Sequence, residues 1–196
     1  MSKAILIIDL INDIVHPDGK IPSCAQLASE METITNTNHA LNYARKNNWL
    51  VVHIKVGFDA NYSAQPKSSP VFGKADQYRA LQLGSFGTEF HSDVDVREDD
   101  SIILKPRISA FYNTSLEATL RANHVTQLYL AGVSTEWAIQ STAREGHDRD
   151  YKITILEDCC AASSKEAHST SLAMLSRIAD IAVSYTHLRA HETVVY

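Results

Sequence analysis

Three positions in the chain place chemically useful groups where apolar runs end. Asp9 directly follows "ILII", Lys105 directly follows "SIIL", and Gly132 ends the run "LYLAG" that leads into a helix carrying Ala138. A carboxylate and an ammonium in one crevice can hold a substrate or move a proton. A helix N-terminus offers backbone N–H groups to an anion or a developing oxyanion. The alternative is an ordinary ion pair at a sheet edge, since such pairs are often structural.

The elements that must position these groups follow from the apolar pattern. Six short runs rich in Ile, Val and Leu alternate with helical patterns, and nearly continuous apolar runs are typical of strands buried on both faces. Strands are predicted at residues 4–9, 50–56, 101–105, 127–132, 152–158 and 178–183, and helices at about 26–47, 115–123, 135–149 and 164–177. This alternation predicts an α/β fold: a single-domain, doubly wound, mainly parallel six-stranded sheet with helices on both faces, Rossmann-like. Ligands bind such sheets beyond the carboxyl ends of the strands, where all three groups fall.

Composition limits the partners of the chain. The 196 residues are 44% hydrophobic and 21% charged, with a formal net charge of −5, which disfavours nucleic acid or an anionic membrane as a partner. No apolar run approaches the roughly 20 residues of a membrane-spanning helix. The three cysteines lack metal-type spacing, so we expect a reduced, cytoplasmic protein.

The last stretch of the chain has a different character. Residues 184–196, "SYTHLRAHETVVY", show no clear amphipathic period and look like translated cloning or adaptor sequence. We therefore expect a domain at 1–183 and a non-native or disordered tail at 184–196. The pair His187 and His191 in this tail has no third ligand nearby and predicts no metal site.

Three ordered segments carry a resemblance to a known family. They are "ILIIDLINDI" (5–14), "ILKPRISAFYNTSLEATLR" (103–121) and "LYLAGVSTEWAIQSTAREGHDRDYKITILEDCCAA" (128–162). The chain up to about residue 183 resembles the isochorismatase-like hydrolases, also called the cysteine hydrolase family, whose fold agrees with the predicted one. Most members use an Asp–Lys–Cys triad. The resemblance implies that Asp9 and Lys105 are the first two members and that Ala138 stands at the cysteine position.

The same resemblance implies the geometry of the turn before Ala138. It places a cis peptide at Val133–Ser134 and an oxyanion hole at the amides near Trp137 and Ala138. Alanine cannot attack a carbonyl group, so a covalent thiol mechanism has no nucleophile at this position. We expect the hydroxyls of Ser134 and Thr135 to form and cap the turn. Cys159 and Cys160 are expected to be small buried side chains.

Further binding residues come from the long irregular region at about 57–100 and from nearby aromatic side chains. Connections of this length are usually functional. Substrate contacts are predicted for Arg79, Gln82, Phe111, Tyr112 and Trp137. The Arg79 guanidinium suits a carboxylate, although it is equally explained as a solvated loop residue, and core packing alone would also explain Phe111. His53 lies inside a predicted strand, so no metal and no cofactor are expected.

Three functions remain open from the sequence. The first is a small-molecule hydrolase that uses Asp9, Lys105 and the backbone oxyanion hole without a thiol. The second is a cysteine amidohydrolase inactivated by Ala138, and the third is a non-catalytic ligand-binding relative. Vinyl ether hydrolysis, as in isochorismatases proper, would need a protonated Asp9, which burial favours and Lys105 opposes. The resemblance also implies a homo-oligomer, a dimer or a tetramer.

Overall fold

The computed structural model describes residues 2–184 and contains one parallel sheet of six strands. The spatial order is β3-β2-β1-β4-β5-β6, and all five neighbouring pairs are parallel. The strands are β1 (Ser2–Ile8), β2 (Leu50–Val56), β3 (Ser101–Lys105), β4 (Val125–Val133), β5 (Lys152–Ala161) and β6 (Asp180–Ala182). The predicted α/β fold is confirmed, and every predicted strand overlaps an observed one.

The helices connect these strands and cover both faces of the sheet. They are α1 (Asn12–Val15), α2 (Ala25–Glu30), α3 (Thr33–Lys46), α4 (Ala75–Tyr78), α5 (Leu116–Ala122), α6 (Gln140–His147) and α7 (Lys165–Leu175), with a 3₁₀ turn at Phe86–Thr88 and a π-helical turn at Thr135–Ile139. The single helix predicted at 26–47 is wrong, because Glu32 adopts a left-handed φ of 51° and separates α2 from α3. The predicted start of α7 is confirmed, since the Ser164 hydroxyl accepts a hydrogen bond from the Ala167 N–H at 3.1 Å.

The central strand β1 shows why the sheet is doubly wound. Ala4, Leu6 and Ile8 belong to one hydrophobic core, whereas Ile5 and Ile7 belong to the core on the opposite face. Side chains alternate between the faces of a strand, so a continuous apolar run requires helices on both sides. The buried sheet therefore forms a rigid base for the residues that follow its strands.

The long segment at 57–100 folds over the carboxyl edge of the sheet. Its aromatic residues Phe58, Tyr62 and Phe72 form a third apolar cluster with residues from the strand ends. The buried Asp13 side chain anchors the segment by accepting a hydrogen bond from the Leu81 N–H at 2.6 Å. A Cβ atom on Gly87 would lie 2.2 Å from an oxygen of the same carboxylate, so only glycine fits this close approach.

The predicted tail is described only at its first residue. The Ser184 N–H and hydroxyl donate hydrogen bonds to the Asp158 carboxylate at 2.8 and 2.5 Å. Residues 185–196, with the pair His187 and His191, lie outside the described residues. Within residues 2–184, no helix is long and apolar enough to cross a membrane.

Candidate active site

The Asp9 carboxylate lies at the carboxyl end of β1 and is held from two sides. Asp9 has a left-handed φ of 56°, and its N–H donates to the Ile54 carbonyl at 2.8 Å. One carboxylate oxygen accepts a hydrogen bond from the Val56 N–H at 2.7 Å, and the other lies 2.7 Å from the Lys105 ammonium. Hydrogen bonds from both neighbours fix the orientation of this buried carboxylate.

The Lys105 ammonium has all three of its N–H groups engaged. Besides the ion pair with Asp9, it donates to the carbonyl oxygens of Arg107 and Ile108, each at 3.1 Å. The two paired side chains are only 1% (Lys105) and 4% (Asp9) exposed. A lysine has three donors and no acceptor, so this ammonium has no N–H group left for a bound molecule and could influence one only through its charge.

Burial dominates the protonation of Asp9. Desolvation raises the pKa of Asp9, while the Lys105 charge and the Val56 N–H lower it, and desolvation is the larger effect. The sequence left the sign of this balance open. A carboxylate with a raised pKa binds a proton more readily, so Asp9 suits proton exchange with a bound molecule.

The turn after β4 brings a helix start close to this pair. Gly132 has a φ of 117°, and a Cβ atom there would lie 2.0 Å from the Ile8 carbonyl oxygen. Glycine therefore lets the end of β4 pack directly against β1. The Val133–Ser134 peptide bond is cis, at the position that the resemblance implied.

The amides of this turn are only partly free to bind an oxyanion. The N–H groups of Trp137 and Ile139 both donate to the Ser134 carbonyl oxygen, at 3.2 and 3.1 Å. The Trp137 amide, expected in the oxyanion hole, thus already has an acceptor within the turn. Ser134 makes no side-chain capping bond, so its predicted capping role is wrong.

A histidine from α7 supports the same turn. The Thr135 hydroxyl lies 2.8 Å from Nδ1 of His168, and both residues are buried. Burial lowers the pKa of His168. Because 33 residues separate the two side chains, no local sequence signal could have revealed this contact.

A cavity of about 130 Å³ joins the strand ends and the turn. Its walls include six residues predicted from the sequence: Asp9, Lys105, Val133, Ser134, Trp137 and Ala138. The Trp137 side chain is 55% exposed and borders the mouth, whereas Ala138 is buried. The remaining walls come mainly from loops that sequence reasoning missed, namely Ile14, Ile21, Ser23, Val56, Val71, Phe72, Leu81 and Ile108.

Four residues predicted to bind substrate do not line this cavity. Phe111 is buried in the core, and its ring stacks on that of Tyr151 at 6.0 Å. Tyr112 is half-exposed in an adjacent groove. Arg79 is exposed to solvent, and its backbone carbonyl accepts a hydrogen bond from the Lys20 ammonium. The backbone carbonyl of Gln82 accepts hydrogen bonds from the hydroxyls of Ser85 and Thr88. These positions agree with the alternative explanations, in which Phe111 packs in the core and Arg79 is a solvated loop residue.

The cysteines lie outside the cavity walls. Cys159 and Cys160 are fully buried, and burial raises the pKa of both thiols well above the ordinary range. Burial also raises the pKa of Cys24 to about 12. A thiol that stays protonated is a poor nucleophile.

His53 is a buried strand residue 3.1 Å from the Asp100 carboxylate, and no group of three metal-ligating side chains occurs within residues 2–184.

These features define the class of the protein by its structure, a parallel α/β fold with a buried charged pair beneath a small cavity. The isochorismatase domain model matches residues 3–184, and the chain belongs to this family of isochorismatase-like hydrolases.

Individual relatives are similar in sequence or in fold. The chain is 27% identical over 185 residues to the ureidoacrylate amidohydrolase of Acinetobacter baylyi, covering 87% of this chain and 76% of the relative. A cysteine hydrolase from Pseudomonas syringae superposes with a TM-score of 0.87 at 22% identity, over 98% of this chain and 93% of the other. A nicotinamidase/pyrazinamidase from Bacillus subtilis superposes with a TM-score of 0.78 at 24% identity, over 93% of this chain and 100% of the other. At these identities the two structures show the fold alone.

Proposed function

We propose that the protein hydrolyses a small amide, ureide or vinyl ether in this cavity, with water as the attacking group and without a thiol nucleophile. The observation that carries the proposal is the pairing of Asp9 and Lys105 at 2.7 Å in the cavity wall, next to Ala138. The family is one of hydrolases, and the relative from Acinetobacter baylyi is named an amidohydrolase.

The cavity walls supply no activated nucleophile to replace a thiol. Among the described lining residues, Ser23 and Ser134 carry hydroxyls. The Ser23 hydroxyl lies 3.8 Å from the Cys24 thiol, which stays protonated because burial raises its pKa, so it cannot accept a proton from the hydroxyl. Thr135 has a histidine partner but does not line the cavity. A hydroxyl needs an adjacent general base to attack, so water activated by Asp9 is the simplest nucleophile.

For an amide or ureide, the steps balance with Asp9 as the proton carrier. The Asp9 carboxylate accepts one proton as the water oxygen bonds to the substrate carbonyl carbon. The tetrahedral intermediate then breaks its carbon–nitrogen bond, and Asp9 returns the proton to the leaving nitrogen. For a vinyl ether, protonated Asp9 would instead protonate the vinyl carbon, and water would capture the resulting oxocarbenium ion while returning one proton to Asp9. The hemiketal so formed then breaks its carbon–oxygen bond and releases an alcohol and a ketone. The raised pKa of Asp9 favours both roles.

The Ala138 amide is the proposed oxyanion donor. Its neighbours Trp137 and Ile139 already donate to Ser134, and Ala138 lies between them in a turn that lines the cavity. The start of the turn also provides a partial positive charge to a developing oxyanion.

The test is a screen of the protein against amides, ureides and isochorismate, in parallel with Asp9→Asn. We expect hydrolysis of at least one class, and a loss of about 10²-fold or more in Asp9→Asn, the usual contribution of a general acid or base. Asp93→Asn is the matched control, since it removes an exposed carboxylate outside the cavity. Equal rates for Asp9→Asn and the unmodified protein would contradict the mechanism.

A second candidate is a cysteine amidohydrolase that lacks its nucleophile. It is favoured by the position of Ala138 in the same cavity wall as the charged pair. Under this candidate the unmodified protein is inactive, and Ala138→Cys gains amide hydrolysis with a covalent adduct visible by mass spectrometry. If neither protein turns over but small amides raise the melting temperature, the chain is a ligand-binding relative.

We also propose that the protein assembles as a homo-oligomer, a dimer or a tetramer, in a reducing cytoplasmic compartment. Three exposed apolar side chains, Val71, Tyr78 and Phe86, lie in the segment that covers the site. All three cysteines are free. Light scattering coupled to gel filtration measures the assembly, and a monomer across the micromolar range would contradict it.

A further inference from the structure

The walls of the cavity combine a charged pair with a continuous apolar surface. The pair of Asp9 and Lys105 comes from the carboxyl ends of two strands. Five apolar wall residues from the connecting segments pack in one cluster, namely Ile14, Ile21, Phe72, Leu81 and Ile108. A molecule with its reacting group beside Asp9 therefore has apolar side chains around the rest of its atoms.

The cavity has no free cation for an anionic ligand. Among the described residues that line it, Asp9 and Lys105 are the only charged ones. The Lys105 ammonium already donates to Asp9 and to two backbone carbonyl oxygens. The remaining side-chain donors in the walls are the hydroxyls of Ser23 and Ser134. A carboxylate buried without a cationic partner loses its hydration at a high cost, so the cavity disfavours an anionic ligand.

The size of the cavity limits the length of the ligand. Its volume is about 130 Å³, and an apolar cavity of about 150 Å³ is known to bind benzene. The apolar surface is also firmly packed, since Phe72 and Leu81 are buried and the Phe72 ring lies 5.7 Å from that of Phe58. A closely packed wall adapts little to a ligand of the wrong size, so it discriminates by length and shape.

We propose that the cavity binds the primary amide of a short, uncharged aliphatic acid, with the amide beside Asp9 and the alkyl chain against the apolar surface. The volume suits an acyl group of about three to five carbon atoms. This inference rests on the proposed function for the placement of the reacting group. It narrows the substrates to amides whose acyl group carries no charge.

Leu81 is the proposed specificity-determining residue. Its N–H donates to the buried Asp13 carboxylate at 2.6 Å, and its φ is 57°, so both contacts and backbone fix the direction of its side chain. Burial of each additional CH₂ group of the ligand against such a wall contributes about fourfold in affinity.

The test is a titration of the ¹⁵N-labelled protein with acetamide, propionamide, isobutyramide and isovaleramide, followed by NMR. Malonamate is the charged counterpart of isovaleramide, because a carboxylate replaces the isopropyl group with the same number and branching of heavy atoms. We expect affinity to rise about three- to fourfold with each added carbon, and malonamate to bind about tenfold or more weakly than isovaleramide. Equal affinities along the series, no binding of any amide, or malonamate binding as tightly as isovaleramide would overturn the proposal.

Two variants assign the preference to the cavity walls. Leu81→Asn keeps a residue that readily adopts the left-handed backbone and makes this part of the wall polar. It should weaken isovaleramide about three- to tenfold and leave the shorter acetamide nearly unchanged. Val71 lines the cavity and is 50% exposed, so Val71→Lys tests the proposal even if Leu81→Asn does not fold. The new ammonium should reduce the preference for isovaleramide over malonamate about two- to fivefold.

Met174→Lys is the matched control for Val71→Lys. It makes the same change of charge at a similarly exposed apolar side chain outside the cavity walls. We expect it to leave the preference unchanged. A preference that falls equally in Met174→Lys and Val71→Lys would overturn the assignment to the cavity, as would unchanged isovaleramide binding in folded Leu81→Asn.

The ligand signals in the same samples report hydrolysis and separate this proposal from the proposed function. The expected order of affinities without hydrolysis of any amide supports the apolar cavity and contradicts the hydrolase mechanism. Hydrolysis of the amides without a preference for the longer, uncharged ones supports the mechanism and contradicts the assignment of the substrate class.

Discussion

Replacing Lys105 by Met removes the ammonium and leaves the Asp9 carboxylate buried without its charge partner. Both side chains are nearly inaccessible to solvent, so water cannot replace the lost ion pair. The carbonyl oxygens of Arg107 and Ile108 also lose a donor, which costs about 1–3 kcal/mol at any pH. We therefore expect Lys105→Met to fold with reduced stability and with a steeper dependence of that stability on pH.

The pH-dependent part can be worked out from the protonation of Asp9. An unpaired Asp9 can take up a proton, so its penalty is limited to the cost of protonating a group whose unfolded pKa is about 3.9. That cost is about 4 kcal/mol at pH 7 and about 1.5 kcal/mol at pH 5. Burial already raises the native pKa of Asp9, and the substitution raises it further. Above the unfolded pKa the native state then holds more protons than the unfolded state, so stability falls as pH rises towards the native pKa.

Urea denaturation followed by circular dichroism at pH 5 and pH 7 measures this effect. Lys105→Met should lose up to about 3 kcal/mol more at pH 7 than at pH 5. The double variant Lys105→Met with Asp9→Asn has no carboxyl group to protonate at this position, so its own free energy of unfolding should not show this fall between pH 5 and pH 7. A loss in Lys105→Met that does not change between pH 5 and pH 7 would refute the reasoning.

The remaining predictions concern the turn that carries Ala138. Gly132→Ala should lower the free energy of unfolding by about 1–3 kcal/mol or prevent folding, which thermal denaturation measures. The new methyl group would collide with the Ile8 carbonyl oxygen, and residue 132 would have to keep a left-handed φ that alanine rarely adopts. His168→Gln should lower stability by about 1–3 kcal/mol at pH 8, because Thr135 loses a buried partner. Since burial lowers the pKa of native His168, stability in the unmodified protein should fall as pH drops below about 6.5, and His168→Gln should weaken this fall. An unchanged acid dependence in His168→Gln would count against that role.

The sequence was sufficient for the sheet and for the charged pair at its edge. Continuous apolar runs define strands buried on both faces, and the polar residue that ends such a run lies at the carboxyl edge by topology. Asp9 and Lys105 could therefore be placed from their position after "ILII" and "SIIL". The break between α2 and α3 escaped prediction because Glu32 adopts its left-handed conformation without a glycine or proline to signal it.

The cavity walls could not be predicted because tertiary contacts set them. Leu81 reaches the site through a hydrogen bond from its N–H to Asp13, a residue 68 positions away. The ring of Phe111 turns into the core towards Tyr151, whereas the next residue faces solvent, and nothing local distinguishes the two. Periodicity specifies which face of an element is buried, but it does not specify how an irregular segment folds across that element.

Intact-protein mass spectrometry during turnover tests the central claim most directly. The unmodified chain, with Ala138 in place, is mixed with each amide and ureide, and product and protein mass are followed together. We expect product formation with no increase in the mass of the protein at any time. Product that forms only in Ala138→Cys, together with an acyl adduct on that variant, would contradict it.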